Sequence, residues 1–255
     1  MDGCMLRVSG LSKSFGAIQA LNKVDVEIVR GRIHGIIGPN GSGKTTLFNC
    51  VTGLLKQSSG TVELDGADIT NDRPEIIARK GVRRTFQAGK LVPGMTVLEN
   101  VMSGVNDRIG VAAWDSALRL PFVPSRREAE IHERAMAALV MAGLEKSAGR
   151  WASDLVWTER QLVQIARALV GDPKVLLLDE PASGMGVREI EKVEEIIRTI
   201  RGSGVTVVVV SHDVRMLMNL SDLVTVLNFG EKIAEGSPAE IRTNPRVLEA
   251  YLGAE

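Results

Sequence analysis

The feature that most constrains this chain is a glycine-rich stretch between a short apolar run and the start of a predicted helix. The stretch fits the pattern G-x-x-x-x-G-K-[ST], which wraps the phosphates of a nucleoside triphosphate. Glycines let backbone N–H groups approach an anion, and a helix that starts there adds free N–H groups and the positive end of its dipole. The stretch consists of Gly38, Pro39, Asn40, Gly41, Ser42, Gly43, Lys44, Thr45 and Thr46.

The flanking residues distinguish this stretch from a glycine turn that matches the pattern by chance. Ile33–Ile37 is predicted to form a buried strand, and residues 47–51 are predicted to form the first turns of a helix. In this setting we expect Lys44 to reach the outer phosphates and the Thr45 hydroxyl to hold Mg²⁺.

Two later apolar runs end in groups suited to act on a bound nucleotide. Residues 175–178 carry no charge and end in Asp179 and Glu180, and residues 205–210 end shortly before His212. Such runs are typical of strands buried on both faces of a parallel sheet, where ligands bind outside the carboxyl ends. We therefore expect Asp179 to hold Mg²⁺ through water, Glu180 to take a proton from attacking water, and His212 to lie beside the γ-phosphate. The alternatives are that Asp-Glu-Pro only ends a strand and that the histidine is structural.

Other patterns predict the rest of an α/β fold. Apolar and polar residues alternate at positions 6–9, 24–28 and 61–64, which predicts antiparallel strands. Residues from about 96 to 169 have a helical pattern. The predicted fold is a P-loop NTPase core with a mixed, largely parallel sheet, an N-terminal antiparallel β subdomain and an inserted α-helical subdomain.

We expect one domain over residues 1–255, made of two parts. The nucleotide-binding core comprises residues 1–87 and 161–255, and the helical subdomain comprises residues 88–160. Within the helical part, residues 104–125 show no clear period and predict an irregular excursion.

Composition and charge narrow the function classes. Lys plus Arg equals Asp plus Glu at 31 each, so no basic field indicates a nucleic-acid partner. The start of the chain lacks a charged-then-apolar signal segment, and the longest aliphatic stretch is too short to cross a bilayer. Cys4 and Cys50 predict neither a metal site nor a disulfide framework. These features predict a cytosolic protein.

Together the motifs resemble the ATP-binding-cassette (ABC) ATPases, the nucleotide-binding subunits of ABC transporters. The resemblance covers essentially the whole chain and implies an ATPase that uses ATP and Mg²⁺. The resemblance matches Gly38–Thr46 to the family's Walker A loop, Asp179 to its Walker B aspartate, and Glu180 to its catalytic glutamate. The resemblance assigns three further roles: adenine stacking to Phe15, Mg²⁺ contact in the Q-loop to Gln87, and the switch histidine to His212. From the residue alone, Phe15 would be predicted to pack in the core.

A narrower resemblance concerns the transported solute and the partners. Four segments resemble the ATPases of branched-chain amino-acid importers: Arg84–Gln87, Met95–Asn100, Lys232–Gly236 and Asn244–Gly253. Relatives of that group import other small solutes, so the implied cargo is a branched-chain amino acid or a related solute. The resemblance also implies a membrane permease bound by the helical subdomain, a solute-binding protein, and a place on the inner face of the cell membrane.

Two segments depart from the family pattern. The family signature Leu-Ser-Gly-Gly-Gln aligns with Leu155, Val156, Trp157, Thr158 and Glu159. The family serine is thus replaced by Val156 and the second glycine by Thr158, while Gly186 stands where the D-loop usually has Asp or Asn. In the family, each ATP site joins the Walker motifs of one subunit to the signature and D-loop of the other. We therefore expect a heterodimer with two unequal sites, this chain owning the better one; the alternative is a homodimer that works normally.

Two rival functions come from other classes. A soluble ABC-type ATPase acting on DNA or ribosomes would need long coiled coils or a second cassette, and the sequence has neither. A largely structural partner would bind ATP without hydrolysing it. Glu180 and His212 argue against that for this chain's own nucleotide, and the altered signature leaves it open for the opposite site.

Overall fold

The chain forms two compact units, residues 1–87 with 174–255, and residues 88–173. A computed structural model describes residues 3–85, 91–105 and 126–252. The predicted division into residues 1–87 with 161–255 and residues 88–160 stays a prediction. Its second boundary, 160/161, falls within a helix, Trp157–Leu169, that belongs wholly to the second unit.

A six-stranded sheet forms the centre of the first unit, in the order β10-β9-β3-β8-β7-β6. All neighbours pair in parallel except β9 and β10, which form an antiparallel hairpin. The described strands are β1 (Cys4–Phe15), β2 (Ile18–Val29), β3 (Ile33–Ile37), β4 (Ser59–Leu64), β5 (Ala67–Asp68), β6 (Val82–Arg84), β7 (Val175–Asp179), β8 (Thr206–Val210), β9 (Leu223–Asn228) and β10 (Glu231–Gly236).

Every residue of β3, β7 and β8 is buried, which confirms the prediction of buried strands at these positions. The expected start of β8 at Val205 was one residue early, because the strand begins at Thr206.

A second sheet of the first unit is antiparallel, in the order β2-β1-β4-β5. Asp65 and Gly66 have positive φ angles of 53° and 77°, which a two-residue turn between β4 and β5 requires. Leu6, Val8 and Val62 of this sheet pack in one core with apolar residues of β3, β7 and β8 and of the helix that follows β3. The predicted antiparallel subdomain and the predicted α/β fold class are thus confirmed.

The helices begin and end at sequence signals of familiar kinds. Pro74 stands at the first turn of its helix, and Gly81 ends that helix at a φ of 109°. Thr96 and Ser237 each form a capping box with a glutamate three residues later. The described helices are α1 (Lys44–Val51), α2 (Pro74–Lys80), α3 (Val97–Met102), α4 (Arg126–Met141), α5 (Trp157–Leu169), α6 (Val187–Gly202), α7 (Val214–Leu220), α8 (Pro238–Thr243) and α9 (Pro245–Leu252).

The described part of the second unit consists of α3, α4, α5 and two short 3₁₀ helices, Glu145–Ser147 and Ala152–Asp154. Ala135, Ala138 and Leu139 form the buried face of α4, as expected for an amphipathic helix. The irregular excursion was predicted for residues 104–125. Residues 106–125 of that segment lie outside the described residues. Among the described helices of the whole chain, none has both the length and the apolar character needed to span a bilayer.

Candidate nucleotide-binding site

The loops that follow three neighbouring strands of the central sheet meet at one edge. The glycine-rich stretch follows β3, Glu180 follows β7, and Ser211 with His212 follows β8. Because these strands are parallel neighbours, their carboxyl ends lie side by side. A cleft of about 240 Å³ opens there, lined by Ala20, Asn40, Gly41, Ser42, Gly43, Lys44, Thr45, Thr46, Asp179, Glu180 and Val210.

Close backbone packing explains why glycine is needed in the loop after β3. A Cβ atom on Gly38 would lie 2.1 Å from the Leu227 carbonyl oxygen, and one on Gly43 would lie 2.7 Å from the Ala20 carbonyl oxygen. The hairpin of β9 and β10 also holds the loop, since the Gly230 N–H donates to the Ser42 carbonyl at 3.1 Å. The loop is therefore held on one side by β2 and the β9–β10 hairpin, and its other side faces the cleft.

Lys44 is bonded to its own loop. Its Nζ donates to the carbonyls of Gly38 at 2.7 Å and Pro39 at 2.9 Å. Burial lowers the pKa of the Lys44 ammonium, and the carboxylates of Glu180 and Asp179 oppose that shift. The structure thus places a cation at the floor of the cleft, held by bonds that an incoming anionic ligand can replace.

Asp179, at the end of β7, is buried and paired with Arg84 of β6. Arg84 Nη2 donates to Asp179 Oδ2 at 2.7 Å, and the exposed fractions of the two side chains are 5% and 3%. Arg84 belongs to a segment that resembles a family motif, but its sequence context predicts no separate role for it. The sequence did hold one signal for this ion pair: Arg84 is a charged residue at the end of β6, and β6 lies beside β7, which ends in Asp179.

The donor atoms suit a magnesium ion. The Thr45 hydroxyl and the Asp179 carboxylate belong to residues lining the same cleft, and Mg²⁺ prefers oxygen ligands, using one or two carboxylates together with substrate phosphates. These two residues therefore fit the ion.

Glu180 has the backbone conformation least expected for its residue type. Its φ is 51°, in the left-handed region that glycine favours, and such a position costs on the order of 1–3 kcal/mol. Its Oε2 atom accepts from His212 Nδ1 at 2.7 Å and from the His212 backbone N–H at 3.3 Å. The Ser211 hydroxyl donates to the same oxygen at 3.3 Å. Sequence reasoning expected Glu180 and His212 in one place, and the structure brings them into direct contact.

Of the two remaining candidate residues, the structure describes Phe15 alone. Phe15 ends β1 and is 47% exposed, with Lys13 Nζ 4.9 Å from the centre of its ring. Core packing, the expectation from the residue type alone, is therefore wrong for Phe15. Gln87 lies outside the described residues.

The aligned signature segment begins α5 in the second unit. Leu155 is buried, whereas Val156 and Trp157 are 62% and 53% exposed. Val156 is the N-cap residue of α5, and its N–H donates to Glu159 Oε2 at 3.2 Å. A valine side chain has no oxygen to accept from the helix in return, so half of a capping box is missing. Arg150 fixes Glu159 through a 2.6 Å ion pair.

Gly186 precedes α6 in the first unit and has room for a side chain. A Cβ atom there would have one neighbour within 4 Å, the Glu189 carboxylate at 3.7 Å. Its φ of −77° is open to any residue. Neither space nor backbone geometry therefore requires glycine at this position.

The last helix, α9, lies beside the phosphate loop. Burial raises the pKa of the Tyr251 hydroxyl to about 12, and the nearby Gly38 backbone N–H opposes this. A neighbouring cleft of about 620 Å³, which shares Asn40 and Ser42 with the first, is lined by Pro39, Asn40, Ser42, Asn228, Phe229, Ile233, Arg246, Glu249 and Ala250. It is larger than the cleft over Lys44 but contains neither of the carboxylates, Asp179 and Glu180.

Comparisons with known families agree with this geometry. The family model described as ABC transporter matches residues 21–183, which include the phosphate loop, Asp179 and Glu180. A second model, described as branched-chain amino acid ATP-binding cassette transporter, matches residues 231–255.

Similar proteins include the high-affinity branched-chain amino acid transport ATP-binding protein LivG of Salmonella typhimurium. It is 38% identical to this chain, and the match covers 99% of each. The corresponding protein BraF of Pseudomonas aeruginosa is 37% identical, again with 99% coverage of each.

Among solved structures, the ADP conformation of MJ1267, an ATP-binding cassette of an ABC transporter, is similar with a TM-score of 0.86. It is 32% identical, and the match covers 98% of this chain and 99% of that one. The dimeric structure of MJ0796, a bacterial ABC transporter cassette, has a TM-score of 0.75 at 28% identity, covering 92% and 99%.

Proposed function

We propose that this chain, which belongs to the ABC transporter family and is an ATPase, powers the import of branched-chain amino acids or a related small solute. The names of LivG and BraF, similar over almost their full lengths, support this cargo class. The match of residues 231–255 to the branched-chain amino acid model supports it independently of the ATPase motifs. The observation that carries the site is the convergence of the phosphate loop, Asp179, Glu180 and His212 at one edge of the sheet.

The proposed roles follow from the positions of the residues. Residues 38–46 bind the phosphates through backbone N–H groups, and Lys44 exchanges its bonds to loop carbonyls for the outer phosphates. Thr45, Asp179 and Gln87 hold Mg²⁺, which when bound neutralises the charge of the phosphates. Phe15 packs on the adenine with its exposed ring.

Glu180 is the proposed general base. Its Oε2 accepts hydrogen bonds from His212 and Ser211, and these bonds fix the orientation of the carboxylate just after the carboxyl end of β7. From there it accepts a proton from the attacking water, and His212 keeps it oriented. A fixed base and a fixed phosphate loop supply orientation, which is the main requirement in phosphoryl transfer.

The proposed assembly contains other chains. A membrane permease binds the helical unit on the inner face of the cell membrane, and a solute-binding protein delivers the cargo. We also propose that the second ATPase is a different subunit. This chain would contribute Val156, Thr158 and Gly186 to its partner's site, and all three depart from the family pattern. The dimer reported for the cassette MJ0796 supports pairing of two cassettes in general.

Reconstitution tests this function. The chain, its permease and its second ATPase are placed in lipid vesicles, and ATP hydrolysis is measured with the solute-binding protein loaded with leucine, isoleucine, valine or other small solutes. We expect the branched-chain amino acids to stimulate hydrolysis and to accumulate on the ATPase side of the vesicle membrane, to which import delivers them.

Lys44→Ala should abolish both stimulation and accumulation, while Lys192→Ala, at an exposed position on α6, should leave both unchanged. Hydrolysis and uptake that persist in Lys44→Ala would contradict the assignment of the nucleotide site.

A further inference from the structure

The contacts of Arg84 point to a role beyond filling the core. Arg84 and Asp179 lie at the ends of neighbouring parallel strands, where Arg84 pairs with Leu177 in the register of β6 and β7. Thr85, the next residue, joins the two ends again, because its hydroxyl accepts from the Asp179 N–H at 3.2 Å. Both charged side chains are almost completely buried, so each needs the other as a counter-charge.

The guanidinium of Arg84 has a second anchor on α1, the helix that starts in the phosphate loop. Its Nη1 donates to Asn49 Oδ1 at 2.5 Å, and its central carbon lies 5.4 Å from the centre of the Phe48 ring. One planar group thus binds α1 with one arm and Asp179 with the other. Any shift of α1 would be transmitted to the Asp179 carboxylate.

The lysine of the loop does not replace Arg84 in this arrangement. Lys44 Nζ donates to the carbonyls of Gly38 and Pro39 and to the Ser42 hydroxyl. Its influence on Asp179 is that of a nearby charge. The bonded counter-ion of the carboxylate is Arg84.

We propose that Arg84 is a positioning residue that orients Asp179 for Mg²⁺ and couples this carboxylate to the phosphate-loop helix through Asn49. The inference rests on the proposed magnesium role of Asp179. A carboxylate has two oxygens, so a bond to Oδ2 sets the direction of the other oxygen. Side chains that orient metal ligands in this way typically change metal affinity by about 10–100-fold when they are replaced.

The test measures the dependence of nucleotide binding on Mg²⁺, with the full chain and a fluorescent N-methylanthraniloyl derivative of ADP. For Arg84→Gln, we expect the Mg²⁺ concentration at half-maximal binding enhancement to rise by about 10–100-fold. Binding in the presence of a chelator should stay at the wild-type level, because the phosphate loop is unchanged. Asn49→Ala should shift the Mg²⁺ dependence in the same direction by less, since it removes the anchor but not the ion pair.

Two further variants separate positioning from stability. Arg84→Lys keeps the charge but cannot span Asn49 and Asp179 with one planar fork, so it should fold and still need more Mg²⁺ than wild type. If Arg84→Gln does not fold, Arg84→Lys and Asn49→Ala decide the matter. Arg134→Gln removes an exposed ion pair with Glu130 and should keep the wild-type Mg²⁺ dependence.

Wild-type Mg²⁺ dependence in a folded Arg84→Gln, or in both Arg84→Lys and Asn49→Ala, would overturn the inference. That result would leave the proposed ATPase role intact. A wild-type chain that binds no nucleotide would instead overturn the proposed function together with this inference.

Discussion

The cleft at the strand ends of the first unit and the signature segment at the start of α5 differ in how their side chains are held. In the cleft, Lys44, Asp179 and Glu180 are each fixed by hydrogen bonds or ion pairs, and Lys44 and Asp179 are buried. In the segment, Val156 and Trp157 are more than half exposed, and Val156 lacks the side-chain oxygen its position favours. The difference underlies our proposal that the chain keeps the groups for its own nucleotide and offers an incomplete set to a partner.

The largest expected effect comes from Glu180→Gln. Loss of a general base typically lowers the rate by about 10²–10⁴-fold, while ATP affinity should remain at the wild-type level. Turnover in the assembled transporter and equilibrium ATP binding measure the two parts separately. Glu191→Gln, at an exposed position on α6, should match wild type in both. Wild-type turnover in Glu180→Gln would remove the proposed base from the account.

Acid should destabilise the first unit through His34 of β3. Burial, and to a lesser extent the charge of Lys232, lowers the pKa of His34 from 6.5 to about 4. The unfolded chain therefore binds this proton at higher pH than the folded chain, so the contribution is complete above pH 6.5 and is lost as the pH falls towards 4. The free energy of unfolding should fall by about 3 kcal/mol from this group across that window.

Chemical denaturation at several pH values checks this expectation. His34→Gln should be less stable at pH 7, because the hydrogen bond between His34 Nε2 and the Thr225 hydroxyl is lost, and should show a shallower acid slope. His132→Gln, at an exposed histidine on α4, should keep the wild-type slope. An unchanged slope in His34→Gln would contradict the assignment.

A smaller effect is expected at Phe15. Stacking of a base on an aromatic ring is worth about 1–3 kcal/mol, so Phe15→Ala should weaken ATP binding by roughly 5–150-fold. Phe229→Ala, at an aromatic residue 86% exposed on the β9–β10 hairpin, should bind ATP like wild type. Equal affinities for wild type and Phe15→Ala would place adenine elsewhere.

The smallest effect is a gain, at Val156. Val156→Ser would complete the capping box with Glu159 and should stabilise the helical unit by about 1 kcal/mol. With the partner subunit present, the new hydroxyl should also raise ATP turnover at the partner's site. Thermal denaturation and turnover of Val140→Ser, at a valine 59% exposed on α4, provide the matched comparison. No gain in stability relative to that control would contradict the capping argument.

Much of the fold was predictable because it depends on local patterns. Uninterrupted apolar runs identified β7 and β8, and the glycine spacing identified the phosphate loop. The carboxyl-end rule for parallel sheets then placed Glu180 and His212 together.

The contacts that fix the site could not be predicted in the same way. Arg84 and Asp179 are 95 positions apart in the chain, and nothing in the local pattern indicates that one pairs with the other. The exposure of Phe15 depends on β1 running on to that residue. The positive φ of Glu180 has no sequence signal, because glutamate rarely adopts it.

The measurement that tests the central claim most directly compares two knockouts in the assembled transporter. One replaces Glu180 with glutamine, and the other makes the same change at the corresponding glutamate of the second ATPase subunit. The account predicts that Glu180→Gln abolishes most ATP hydrolysis, while the partner knockout retains most of it. Equal losses from the two knockouts, or rapid hydrolysis by this chain in a homodimer, would contradict the proposed inequality of the two sites.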